Sequence, residues 1–131
     1  MFVLSHSVTN GQAYYLSMNE TSVSLVASVK SIEVSLPSGD SGYFDVFYGG
    51  SFSGDSLVTM AMWPGGGGPV QSQPPVVFST TASGNTQMMR YFLVGGINKI
   101  EWPMPIRFPS PFSYMLTGDG GWVNIYGELG V

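Results

Sequence analysis

The run Val23-Ser-Leu-Val-Ala-Ser-Val-Lys-Ser-Ile-Glu-Val-Ser-Leu36 sets the terms for everything else in this chain. Val23, Leu25, Ala27 and Val29 share one parity, and Ile32, Val34 and Leu36 share the other. Alternation of this kind is the signature of an extended strand with one face on a core, and it is incompatible with an amphipathic helix. A strand cannot change the face it buries without an extra residue, so the switch at Lys30-Ser31 predicts a turn or bulge there.

The same texture runs through the chain. Tyr43–Tyr48, Leu57–Trp63, Val76–Thr81, Met88–Val94, Ile97–Trp102, Phe112–Thr117 and Trp122–Tyr126 are rich in aromatic and β-branched residues. Glycine, proline, serine and aspartate separate them, as in Pro37-Ser-Gly-Asp40, Gly49-Gly50, Ser53-Gly-Asp-Ser56, Gly95-Gly96 and Gly118-Asp-Gly-Gly121. The spacing predicts eight to ten short strands, negligible helix and a closing hairpin around Gly118–Gly121. Leu57–Trp63 reads as a mostly buried strand. Pro103–Pro111 reads as unable to form a central strand, because proline lacks the ladder donor. The expected fold is all-β: one antiparallel β-sandwich or jelly roll spanning residues 1–131, a length suited to a single domain. Residues 1–12 form either its first strand or an arm exchanged with a neighbouring copy, hinged near Gly11.

Residues 64–75 contain Gly65, Gly66, Gly67 and Gly68 between prolines. As a domain linker they would leave halves too small to bury an adequate core. As a phosphate loop they lack the Lys-Ser/Thr pair that must follow the glycines. A long loop within one domain remains, either mobile in solvent or ordered by a partner that packs on it.

Chemistry-bearing constellations are sparse. His6 is the only histidine and reads as a surface or strand-pairing residue. The aspartates at 40, 55 and 119 stand singly beside glycine, which is turn chemistry rather than a calcium loop. Without cysteine there are neither disulfides nor thiolate metal sites. The eight methionines read as core or interface filler rather than a copper site. No catalytic, metal or cofactor residue is assigned, and the chain reads as a non-enzyme. Trp63, Trp102 and Trp122 are the candidate contacts, for a protein partner or for stacking on a sugar ring, together with Gly65–Gly68.

Charge narrows the partners. Only 9% of residues are charged and the net charge is -4. An acidic chain with four cationic side chains does not suit nucleic acid or an anionic membrane. No apolar run reaches the ~20 residues of a membrane span, and residues 1–4 lack the basic start of a secretory signal. So little surface charge, against roughly 25% in an average soluble protein, suits a subunit that lives assembled with neighbours.

The tail from Asn98 to Val131 resembles the closing strands of small β-sandwich proteins of tailed-bacteriophage virions. The shared features are a proline-rich crossover, a Gly-Asp-Gly turn and a nearly uncharged final strand. The resemblance covers the last third of the chain and carries no diagnostic motif. It implies a structural virion component, of the capsid decoration (cement) or tail accessory type. Such a protein is made in the host cytoplasm and has other virion proteins and copies of itself as partners. The alternative is a carbohydrate-binding module or adhesin using exposed Trp and Tyr.

Overall fold

A computed structural model describes residues 2–18, 26–48, 51–60, 62, 75–84, 86–108, 112–118 and 120–130. Within these, all regular structure is strand: β1 (Phe2–Val8), β2 (Ala13–Met18), β3 (Val26–Tyr48), β4 (Ser51–Met60), β5 (Pro75–Ser83), β6 (Thr86–Phe108), β7 (Phe112–Thr117) and β8 (Gly121–Gly130). Every pairing is antiparallel, in the order β1-β8-β3-β7-β2-β5-β4, with β6 on the other edge of β3. The all-β, sandwich- or barrel-like class expected from the alternation is what forms.

The pairings describe a sheet folded over on itself. β3 runs 23 residues, with β6 along one edge in stretches that span Ala27–Tyr48, broken at Lys30 and at Pro37–Asp40. On its other edge β8 covers Val26–Ser35 and β7 covers Tyr43–Tyr48. β7 and β8 therefore follow one another along β3 and do not pair with each other. The expected closing hairpin at Gly118–Gly121 is a corner instead. β1 and β2 repeat the arrangement one strand further out, along β8 and β7 respectively. Four bent strands thus turn at the same level: near residues 9–12, 118–120, 37–40 and 95–96. One wall holds β1, β8 and the adjoining halves of β3 and β6. The other holds β2, β7, the remaining halves, and then β5 and β4. Beyond β4 the chain returns to the first wall, where Val3 and Met62 exchange backbone hydrogen bonds of 3.0 and 2.8 Å.

The strands pass close together beside the corners because three positions there lack a side chain. A Cβ on Gly42 would run into the Thr117 carbonyl, and one on Gly121 into the Ser35 carbonyl. One on Gly95 would lie 2.9 Å from the Pro37 oxygen. At Gly42, Gly95 and Gly121 the backbone of one strand nests against the next with no room for a side chain. Asn98 ties the β6 corner: its Oδ1 accepts from Val94 N at 3.2 Å, and its Nδ2 donates to Val94 O at 2.8 Å and Val34 O at 3.2 Å. The outermost corner is tied in the same way, with Gly118 N donating to Asn10 Oδ1.

Between the walls lies one core, including Phe2, Leu4, Ile32, Val34, Phe44, Val46, Leu93, Tyr114, Leu116 and Ile125. The parity switch read at Lys30-Ser31 is a bulge: the register slips between Val29 and Ser31 against both β6 and β8, so Val29 and Ile32 both point inward. Residues 2–8 pair in full with β8 of the same chain. Several punctuating stretches do not reverse the chain. Pro37–Asp40 and Gly95-Gly96 bend single strands, and Ser53–Ser56 is an irregularity within β4. Pro103 and Pro105 belong to β6, which among the described residues pairs on one side only; the strand is an edge, the place proline tolerates. Within the buried strand expected at Leu57–Trp63, Leu57, Met60 and Met62 are exposed on an edge strand and its margin, and residues 61 and 63 lie outside the described residues.

The nested corners make a direct prediction. Gly42→Ala should destabilise the fold by about 2–4 kcal/mol, since backbone on both sides must move. Gly54→Ala, at φ +68° but in open space, should cost only about 1 kcal/mol. Chemical denaturation of both variants checks the order.

Candidate interaction surface

The sequence candidates separate at once. Trp63 and Gly65, Gly66, Gly67 and Gly68 lie outside the described residues. Trp102 is partly buried against the core, and its Nε1 donates to Tyr91 Oη at 3.1 Å. That is a structural role for the ring. Of the two described tryptophans Trp122 is the exposed one, at 47%, with Nε1 donating to Ser5 Oγ at 2.6 Å and Ser5 Oγ donating in turn to Asn124 Oδ1.

Trp122 is one end of a larger feature. Ser35 of β3 faces Trp122 on one side and Ile97 on the other. Past the corner, the outward positions of β6 are Val94, opposite Ser41, and Phe92, opposite Tyr43. Ile97, Phe92 and Val94 are 73%, 63% and 55% exposed. Alternation requires this, since Leu93 between Phe92 and Val94 is the residue that enters the core. The outside of the corner thus carries a strip of large apolar side chains, which a lone soluble domain seldom exposes together.

The strip is held firmly at its polar end. Asp45, on the outward face between Tyr43 and Phe47, is nonetheless buried. Arg90 grips it as a fork, Nε to Oδ1 at 2.7 Å and Nη2 to Oδ2 at 3.1 Å, and Gln87 Nε2 donates to Oδ1 at 3.1 Å. The guanidinium also lies 4.6 Å from the Tyr43 ring centre, and Tyr43 meets Phe92 edge-on at 5.6 Å. The carboxylate holds the Arg90 pKa above its ordinary value.

A second outward aromatic cluster satisfies itself. Tyr15 stacks on Phe52 at 4.4 Å and on Phe78 at 5.5 Å, so the rings cover one another. Its hydroxyl donates to Asp55 Oδ2 at 2.7 Å, while Thr80 Oγ1 donates to Asp55 Oδ1. Burial and the Asp55 carboxylate push the Tyr15 phenol up to about 12.

His6 is neither on the surface nor a pairing residue alone. It points between the walls, on the same parity as Phe2, Leu4 and Val8, and is buried. A carbonyl only accepts, so Nδ1–H donates to Ser7 O at 2.9 Å. Nε2 is then left to accept from Tyr114 O–H at 2.6 Å. This fixes a neutral tautomer. The Tyr14 and Tyr114 rings stack beside it, and Tyr14 Oη accepts from Thr9 N at 2.9 Å. Burial lowers the His6 pKa and raises that of Tyr114 well above its ordinary value. The triad clips the two walls together. Among the described residues, no three metal-ligating side chains converge.

The chain matches no protein-family model, no curated protein and no solved structure.

The buried histidine has a pH consequence. Its folded pKa lies below its unfolded value of about 6.5, so the unfolded chain takes the proton first. Stability should be full above pH ~6.5 and fall as the pH drops from there toward the folded pKa. His6→Gln should remove that slope from the pH dependence of the melting temperature. It should also cost about 1–3 kcal/mol at neutral pH by disturbing a buried hydrogen bond.

Proposed function

We propose that the protein is a non-enzymatic structural subunit that packs in many copies within a larger assembly, a virion component of the capsid decoration or tail accessory type. One observation carries the reading: Tyr43, Phe92, Val94, Ile97 and Trp122 form an outward strip on a chain of which only 9% is charged. Burying such a strip against a neighbour yields about 25 cal/mol per Å² of apolar surface. It needs no charge pairs beyond those at its margin, and the edge strand behind it adds backbone pairing. The virion setting rests on the resemblance of the C-terminal third to phage β-sandwich proteins.

The carbohydrate-binding alternative finds less support. Sugar stacking wants flat, uncovered rings side by side. Here Tyr43 and Phe92 meet at 66°, and Tyr15, Phe52 and Phe78 cover each other.

Sedimentation of the purified chain over a range of concentrations tests the proposal. The wild-type protein should exceed the monomer mass, and Phe92→Ser combined with Ile97→Ser should return it to monomer with an unchanged far-ultraviolet spectrum. A wild-type chain that stays monomeric at every concentration and binds an immobilised glycan through Trp122 would overturn it.

A further inference from the structure

Strand β6 presents a free edge: among the described residues it pairs only with β3, in two stretches from Thr86 to Glu101 that meet at the corner where the Asn98 side chain holds Val94 N, Val94 O and Gly96 O, with Trp102–Pro105 outside the ladder. Natural sheets cover or charge such an edge, because its unpaired amides and carbonyls are a template for another strand. Building on the assembly reading, we infer that the occupant is a second copy of the same strand. The two β6 strands run antiparallel about a two-fold axis that passes between Gly95 and Gly96. Val94 then faces Ile97 of the second copy, Phe92 faces its Lys99, and Arg90 faces its Glu101.

Three independent features select this register. The first is parity. Before the corner the outward residues are Arg90, Phe92 and Val94; after it they are Ile97, Lys99 and Glu101, because the bend shifts the alternation by one. Outward side chains meet outward side chains only when even positions before the corner face odd positions after it. The second is shape. Both strands bend at Gly95-Gly96, and two bends coincide only if the axis passes through that point. Neither glycine carries a side chain to keep the strands apart, and a Cβ built on Gly96 would meet nothing within 4 Å.

The third is charge. In the stated register Glu101, whose Oε1 also pairs with Lys99 Nζ of its own chain at 3.1 Å, meets the guanidinium of Arg90, whose fork to Asp45 uses Nε and Nη2 and leaves Nη1 for a second carboxylate. Lys99 comes opposite Phe92, and an aromatic ring is a favourable neighbour for a cation. Sliding two residues one way sets Arg90 against Lys99. Sliding two residues the other way sets Glu101 against Phe92 and Lys99 against Val94. The exposed strip also becomes continuous: Trp122 and Ile97 of one copy run on into Val94, Phe92 and Tyr43 of the other. This places the apolar residues at the centre of the interface and the charges at its rim, as in stable interfaces.

The absence of cysteine makes the register directly testable. Val94→Cys and Ile97→Cys, each the sole thiol in its chain, are mixed and oxidised. The mixture should give a disulfide-linked heterodimer, while either variant alone should give little. Two copies of position 94 lie three residues out of register, roughly 10 Å apart, beyond the reach of a disulfide. In a second arm, Phe92→Lys sets lysine against Lys99 and should raise the dimer Kd by about tenfold or more. F92K/K99E restores an opposite-charge pair and should return it to within about threefold of wild type. Circular dichroism confirms that each variant is folded. Equal cross-linking by Val94→Cys alone would overturn the inference, as would equal weakening by F92K and F92K/K99E. An oligomer that forms without cross-linking in the mixture would overturn it too, while the assembly reading stands. A wild-type chain that remains monomeric would remove both.

Discussion

Adjacent strands of this fold turn the same corner with their backbones in contact, and the rest of the structure depends on that. A side chain at Gly42, Gly95 or Gly121 would occupy the space of a neighbouring carbonyl. Because the corners nest, β3 and β6 continue through the bend as single strands, and β1–β2 and β7–β8 behave as two more. Each wall inherits its register from the other. The core fills the space between, and the His6–Tyr114 hydrogen bond pins one wall to the other at the centre. The outward strip is the complement of the same geometry. Where the sheet bends around its core, the residues on the convex side are pushed apart and left uncovered.

How much of this the sequence discloses depends on what kind of signal each residue carries. Alternation reports face, and it reported face well: Ile32, Val34 and Leu36 point inward, and the parity switch at Lys30-Ser31 is the bulge it should be. Glycine, proline and aspartate report backbone freedom but not direction. Gly118–Gly121 therefore looks like a hairpin turn and is a corner, and Gly95-Gly96 looks like the end of a strand and is the middle of one. The difference is decided by what lies across the sheet, which no local stretch records.

The candidate surface was legible only in part. Trp122 was singled out for its chemistry and is exposed. Trp102 has the same chemistry and is partly buried, because ring type does not distinguish a residue that faces solvent from one that closes a core. Phe92 and Val94 were hidden within Tyr91-Phe-Leu-Val94, an unbroken apolar run in which alternation has nothing polar to register against. His6 could have been found: it continues the parity of Phe2 and Leu4 into Val8, and only its polarity argued for the surface. Asp45 had no such cue, since its burial depends on Arg90, 45 residues away.

The pairing of β1 with β8 also bears on how the chain is made. Phe2 meets Gly127, and apart from the single bridge of Val3 to Met62 β1 finds its partner among the described residues in that distant segment. At ribosomal rates of about 5–20 residues per second, a strand carrying Phe2, Leu4 and Val8 waits roughly 6–25 s for its complement. Through that interval its apolar side chains and open backbone are available to any strand nearby. In a cell making many copies at once, the nearest one belongs to an identical nascent chain. Translation speed and chaperone supply would then bear on yield as strongly as the stability of the finished fold.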